Sequence, residues 1–247
     1  MKTVILIPTY NESETIVDLL GKLAQLHMSR DFDVLVIDDN SPDDTANIVD
    51  QLDISWVQVL RRSHKDGLGN AYRAGFARVL NSDSYSRVVT MDADGSHRVE
   101  DLPAMLDATN EPLSMTIGSR WITGGAVVNW PKSRQLLSKT GTRYARLALG
   151  ISLNDLTGGF RVYTKELLLR LNLSEMKASG YCYGLEMAMA SELAGATIIE
   201  VPITFVERIN GTSKMNRSIV FEALWRTTLW GISRRLRPNA DKLHYVK

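Results

Sequence analysis

Five short apolar runs, separated by segments of helical period, constrain this chain more than any other feature. Thr3-Val4-Ile5-Leu6-Ile7 reads as a strand stopped by Pro8. Ile16, Leu19, Leu20 and Leu23 then recur at helical spacing, with Ser13 or Asn11 placed to cap that helix. Asp33 to Ile37 predicts the second strand, Asp43 or Asp44 opens a helix, and Ile54 to Leu60 predicts the third strand. Further on, Gly69 to Leu80 reads as helix, Val88 to Met91 as strand, Asp101 to Ala108 as helix and Met115 to Ile117 as strand. Strands with no polar alternation must be buried on both faces, which predicts an α/β fold: a mostly parallel, Rossmann-like sheet with helices on each side. Ligands of such sheets sit beyond the carboxyl ends of the strands.

Those ends carry the oxygen-rich clusters. Pro8-Thr9-Tyr10-Asn11-Glu12 follows the first strand, Asp38-Asp39 the second, and Asp92-Ala93-Asp94-Gly95-Ser96-His97 the fourth. An Asp-x-Asp leaving a strand sends both carboxylates to one rim, because alternate residues share a face. Two hard oxygen ligands can hold Mg²⁺ or Mn²⁺ and leave positions open for phosphate oxygens. The plainer explanation is turn chemistry, since Asp and Gly are favoured where a strand stops. Asp39 is suited to ribose hydroxyls and Tyr10 to the face of a base. Asn11 and Glu12 serve equally well as helix caps, and Asp43 and Asp44 as first-turn acids. Gly67-Leu68-Gly69 opens a helix but fails the dinucleotide pattern, which needs a glycine where Tyr72 stands. It reads instead as a loop beside a nucleotide, with Asp66 its expected contact.

After Arg120 the rhythm changes. Trp121 to Pro131 reads as a mobile loop, Arg134 to Leu149 as a basic helix, and Asp155 to Arg161 as a turn back to the core. A helix over Leu185 to Leu193 and a strand over Thr197 to Val206 follow, with Pro202 requiring an edge or a break in pairing. A net charge of +1 gives no global case for nucleic acid. One cysteine, Cys182, excludes an internal disulfide and fits a reducing cytoplasm. No apolar run reaches the ~18 residues of a membrane span, and the chain enters its first strand without a signal-peptide layout. From Asn216 to Leu236, Ile219, Val220, Phe221, Leu224, Trp225, Leu229, Trp230 and Ile232 accompany Arg226, Arg234 and Arg235, with Arg237 just beyond. A core-packing amphipathic helix explains this, and so does contact with an anionic membrane surface. The expected division is a catalytic domain over 1–215 and an amphipathic, membrane-associating segment over 216–247.

Together these segments resemble a known family. Pro8-Thr9-Tyr10-Asn11-Glu12, Asp38-Asp39-Asn40-Ser41-Pro42-Asp43, Asp92-Ala93-Asp94 and Gly118-Ser119-Arg120 stand in the order found in family 2 glycosyltransferases of the GT-A fold. Asp155-Leu156-Thr157-Gly158-Gly159-Phe160-Arg161 and Arg208-Ile209-Asn210-Gly211-Thr212-Ser213-Lys214 are similar to the polyprenyl- or dolichyl-phosphate mannosyltransferase branch. The resemblance implies transfer of mannose from GDP-mannose to a polyprenyl or dolichyl phosphate, with inversion, at the cytoplasmic face of a membrane. It places Pro8, Tyr10, Glu12, Ile37, Asp39, Asp66 and Ala93 around the donor nucleotide. Asp92 and Asp94 would manage metal, diphosphate and sugar, with Ser96, water or His97 as a third ligand. Arg120, Arg134 and Ser138 would receive the acceptor phosphate, while Arg208 and Lys214 would reach the donor diphosphate. Arg120 joins Asp92 and Asp94 as catalytic. The family's usual Phe-Gln after Gly180-Tyr181 is Tyr183-Gly184 with Cys182 intervening, a departure from the pattern. Alternatives are the same chemistry with a UDP-sugar, a nucleotide-sugar module without turnover, and a membrane-anchoring partner protein alongside any of these.

Overall fold

The computed structural model describes residues 2–178, 180–207 and 217–247. The strands are β1 (Lys2–Thr9), β2 (Phe32–Asp38), β3 (Val57–Arg61), β4 (Tyr85–Thr90), β5 (Ser114–Ser119), β6 (Ala126–Val128), β7 (Arg161–Thr164), β8 (Thr197–Pro202) and β9 (Thr204–Val206). The helices are α1 (Ser13–His27), α2 (Thr45–Gln51), α3 (Leu68–Leu80), α4 (Leu102–Ala108), α5 (Lys132–Leu149), α6 (Lys165–Arg170), α7 (Tyr181–Leu193), α8 (Arg217–Leu236) and α9 (Pro238–Tyr245). Seven strands form one sheet in the order β3-β2-β1-β4-β7-β5-β8. All its pairings are parallel except those of β7 with β4 and with β5.

The apolar runs of β1, β2, β4 and β5 are buried, as expected, whereas β3, at the sheet's edge, is half-buried to exposed. Val4 and Leu6 of β1 join one core with Leu35, Ile37 and Phe76. Ile5 and Ile7 point the other way, into a core with Ile16, Leu20, Val34 and Val36. Because β1, β2, β3 and β4 run in one direction, their carboxyl ends share an edge. β5 ends at the same edge, being antiparallel to β7, which is antiparallel to β4.

Several local expectations change. β7 falls at the end of the segment read as a turn, and it enters the sheet at the ligand edge. The expected strand over Thr197 to Val206 is two: β8 ends at Pro202 on the sheet's edge, and β9 pairs with β6 in a second sheet. Proline has no N–H for the next rung, so Ile203 resumes by donating to Ser119 O at 3.1 Å. The loop over Trp121 to Pro131 is accordingly pinned, since β6 lies within it and Trp130 is buried. Neither Ser13 nor Asn11 caps α1 through its side chain. Asp43, from the loop before α2, accepts from Ser13 N at 3.0 Å, and Thr45 Oγ1 accepts from Glu12 N at 3.1 Å. Burial pushes Asp43 up, but the bonds from Thr45 and Ser13 outweigh it and hold its carboxyl below the usual range.

The division expected at 215/216 lies outside the described residues. Beyond it, α9 packs back on the domain: Tyr245 is buried, and Asn172 N donates to Tyr245 O at 2.8 Å. α8 crosses α5 closely, because a Cβ at Gly231 would stand 2.4 Å from Ala148 O. That atom is backbone and cannot swing away. Gly231→Val is therefore expected to destabilise the fold by about 1–3 kcal/mol through overpacking, read as a lower urea midpoint.

Candidate active site

The Asp-x-Asp leaves β4 at the shared edge, and its loop is held by side chains from within. Asp92 N donates to His97 Nδ1 at 3.0 Å, leaving the proton of the neutral ring on Nε2, which lies 3.6 Å from Asp92 Oδ2. His97 is buried, stacked on Phe160 at 5.0 Å and edge-on to Phe205 at 5.6 Å. Ser96 donates to Asp94 Oδ1 from both its N at 3.0 Å and its Oγ at 2.5 Å. The buried Ser96 hydroxyl thus orients Asp94. Val206 N closes the clamp by donating to Ser96 O at 3.1 Å. Asp92 and Asp94 supply hard oxygens suited to Mg²⁺ or Mn²⁺. Among the described residues no group of three or more His, Cys, Asp or Glu is placed to hold a metal. This donor set fits a cation that takes its remaining ligands from water and phosphate.

Arg120, just past β5, is 5% exposed and meets Asp155, which is fully buried. The pair is bidentate: Nε to Oδ2 and Nη2 to Oδ1, both 2.7 Å, and Arg120 N also donates to Oδ2 at 3.0 Å. Nη2 reaches Thr157 Oγ1 at 2.7 Å as well, and Ser138 Oγ stands 3.5 Å from that same hydroxyl. Trp130, Phe205 and Trp121 surround the guanidinium at 5.1, 5.3 and 5.6 Å. The loop carrying Asp155 and Thr157 is braced by Arg161, whose guanidinium donates to the carbonyls of Leu156, Gly158 and Gly184. At Gly184 the backbone passes close to this arginine, and a Cβ there would stand 2.9 Å from Arg161 Nη2. Arg134 lies over Trp130 at 4.3 Å and pairs with Glu207 Oε1 at 2.5 Å. Its Nε is buried with no hydrogen-bond partner.

One cavity gathers these groups. Asp92, Asp94 and His97 line one part, and Arg120, Arg134 and Ser138 another. Leu137, Tyr144 and Ala145 of α5, Leu185 of α7 and Leu224 of α8 add an apolar lining to the same cavity. Gly159 keeps the floor low, for a Cβ there would already touch Asp92 Oδ1 at 3.6 Å.

The residues expected to hold the nucleotide lie at the ends of β1 and β2. Pro8 is level with Ile37, and Thr9 with Asp38. The side chains of Ile37 and Ala93 are in the core, which leaves backbone as their contribution. Asp39 and Asp66 are joined by Arg62, which donates to both carboxylates. Burial pushes Asp39 up, against the pull of Arg62. Lys65 Nζ lies 3.6 Å over the Tyr10 ring, so that face is engaged by a cation. Glu12 is half-buried and accepts from Thr15 Oγ1 at 3.1 Å. Arg208 and Lys214 lie outside the described residues. Sequence reasoning missed Arg62, Trp130, Phe205 and Glu207; only Arg62, a cation four residues before Asp66, gave any local signal.

Comparisons with known proteins identify the family and the fold. A model of glycosyl transferase family 2 matches residues 4–171. Polyprenol monophosphomannose synthase of Mycolicibacterium smegmatis is 42% identical over 95% of this chain and 89% of its own. Undecaprenyl-phosphate mannosyltransferase of Micrococcus luteus is 44% identical over 95% and 96%. Dolichol-phosphate mannosyltransferase of Pyrococcus furiosus is 33% identical over 91% of this chain and 62% of its own. Among solved structures, glucosyl-3-phosphoglycerate synthase from Mycobacterium tuberculosis, in complex with Mn²⁺, UDP and glucosyl-3-phosphoglycerate, superposes with TM-score 0.65. It is 18% identical over 95% of this chain and 79% of that one, a likeness of fold that bears out the expected GT-A sheet.

Proposed function

We propose a reaction from one premise: the chain belongs to glycosyl transferase family 2 and is a glycosyltransferase. The reaction is transfer of mannose from GDP-mannose to a polyprenyl phosphate, dolichyl phosphate included, releasing GDP. The observation that carries it is that one cavity brings together carboxylates (Asp92, Asp94), cations (Arg120, Arg134) and an apolar lining (Leu137, Leu185, Leu224). A phosphate on a long hydrocarbon tail has chemistry that matches the cations and the apolar lining. The names of the relatives from Mycolicibacterium smegmatis and Micrococcus luteus support mannose and a polyprenyl acceptor.

An acceptor phosphate is anionic at neutral pH, so no base is required to strip a hydroxyl. Arg120, Arg134 and Ser138 receive it, with the guanidiniums offsetting repulsion between two anions. Acceptor oxygen forms a bond to the sugar's anomeric carbon as the bond from that carbon to the diphosphate oxygen breaks. Attack opposite the leaving group inverts the centre, so an α-linked donor yields a β-linked mannosyl phosphate. Asp92 and Asp94 would hold the divalent cation, which supplies positive charge where the diphosphate departs. Arg62 sets Asp39 and Asp66 for the nucleoside, and His97 braces the Asp92 backbone rather than moving a proton.

The enzyme reaches its acceptor as a peripheral protein. Among the described residues no helix is long and apolar enough to cross a membrane. Instead Trp225, Leu229, Ile232 and Leu236 make an exposed apolar stripe along α8. The test is radiolabelled GDP-mannose or UDP-glucose offered with a C55-type polyprenyl phosphate. Label is expected in glycolipid from GDP-mannose, lost on chelation and restored by Mg²⁺ or Mn²⁺. Transfer from UDP-glucose and none from GDP-mannose would sink the assignment.

A further inference from the structure

We propose that a second cavity, on the outer side of α5, takes the phosphate headgroup of an anionic membrane lipid and seats the enzyme on the bilayer. The inference deepens the reading above, since it rests on the acceptor being a membrane lipid. This cavity is lined by Lys139, Arg143 and Arg146, with Trp121, Thr142 and Leu147 between them. Its volume, about 380 Å³, is that of a small-ligand site. The three cations stand at i, i+4 and i+7, one face of the helix, and among the described residues no acidic side chain lines the cavity.

Solvated surface charge would explain three exposed cations by themselves. It does not explain what they surround. Thr142 is 3% exposed, and its hydroxyl has no hydrogen-bond partner. The Trp121 indole N–H is likewise buried and unpartnered. Buried donors without acceptors are rare in folded proteins, and a phosphate oxygen is the acceptor both lack. Two of the cations are also held in place: Lys139 Nζ lies 4.7 Å over the Trp121 ring, and Arg146 Nη1 donates to Asn154 Oδ1 at 3.1 Å.

A lipid headgroup is favoured over free phosphate by what adjoins the cavity. Leu147, on its rim, is 68% exposed, and its carbonyl accepts from Arg235 Nη2 at 3.0 Å. That bond joins the cavity to the exposed apolar stripe of α8. Cations beside exposed leucine and tryptophan match an anionic interface, where headgroup and acyl boundary are met together. α5 then separates two phosphate sites: Arg134 and Ser138 face the reaction cavity, while Lys139, Arg143 and Arg146 face the outer one.

The experiment is flotation of the full chain with vesicles of phosphatidylcholine, alone or mixed with phosphatidylglycerol. Wild type is expected to favour the mixed vesicles. In the Lys139→Gln/Arg143→Gln/Arg146→Gln variant that partition should fall on the order of 100-fold, and in Arg143→Gln alone about five-fold. Transfer to a short-chain prenyl phosphate in detergent should be unchanged in both, which also shows that they fold. Wild-type binding of either variant to mixed vesicles overturns the proposal. So does calorimetric binding of inorganic phosphate that the triple substitution abolishes while vesicle binding persists. If the substitutions remove vesicle binding but no form of the enzyme transfers mannose, the headgroup site stands and the assigned reaction falls.

Discussion

Asp94→Asn is expected to lower mannosyl transfer by roughly 10³-fold, with no loss of fold. The exchange is chosen because it isolates charge. Asp94 Oδ1 accepts from Ser96 N and Oγ, and an amide oxygen can accept the same two bonds, more weakly than a carboxylate, so the loop keeps its geometry. What disappears is one of two anionic oxygens that would hold a divalent cation beside the departing diphosphate. Initial rates at saturating donor should fall, while the unfolding free energy from urea denaturation stays within about 0.5 kcal/mol of wild type, as for substitutions that break no buried partner. Wild-type turnover in this variant would discredit the carboxylate pair as the catalytic centre.

Asp155→Ala should show the opposite pattern, a large loss of stability. Arg120 and Asp155 are both buried, and four of the bonds that hold them run between the two residues or to Thr157. Removing the carboxylate strands the guanidinium among Trp121, Trp130 and Phe205, a change that costs about 3–5 kcal/mol. The pair also carries a pH signature. Burial pushes the Asp155 carboxyl up, but the Arg120 charge and the bonds from Arg120 and Thr157 outweigh it and hold it below the usual 3.8. A depressed folded value means the stabilisation is complete above the ordinary carboxylate range and is lost as pH falls through the lower, folded one. Urea unfolding at neutral pH should therefore separate wild type from Asp155→Ala by the full amount, and the gap should narrow below about pH 4. A constant gap down to acid would show that the pair does not titrate as described.

The early half of the fold was legible because its signals are local. Val4 to Ile7 and Val34 to Ile37 are apolar at every position, and burial on both faces is what that pattern requires. The clustering of Asp39 and Asp92 at one edge followed from parallel strands alone, whereas Arg120 reaches it through a strand paired to the antiparallel β7. Helix α5 was legible for the same reason, its period being carried by neighbouring residues. β7 was not, since four residues entered by a buried arginine have no periodicity to read. Nor was the helix cap, because Asp43 reaches Ser13 from thirty residues away.

Chemistry along single segments was likewise written in the chain: which residue types stand at each strand end, and that two carboxylates leave β4 on one rim. The pairing of charges was not. Arg120 reads as a free cation but is met by Asp155, Arg134 by Glu207, and Asp39 by Arg62. Periodicity reports only how a segment divides its own faces between core and water. Which distant side chain neutralises a buried charge depends on where the sheet order and the antiparallel β7 bring it. That choice is made between residues tens of positions apart, and it exists only once the sheet has closed around them.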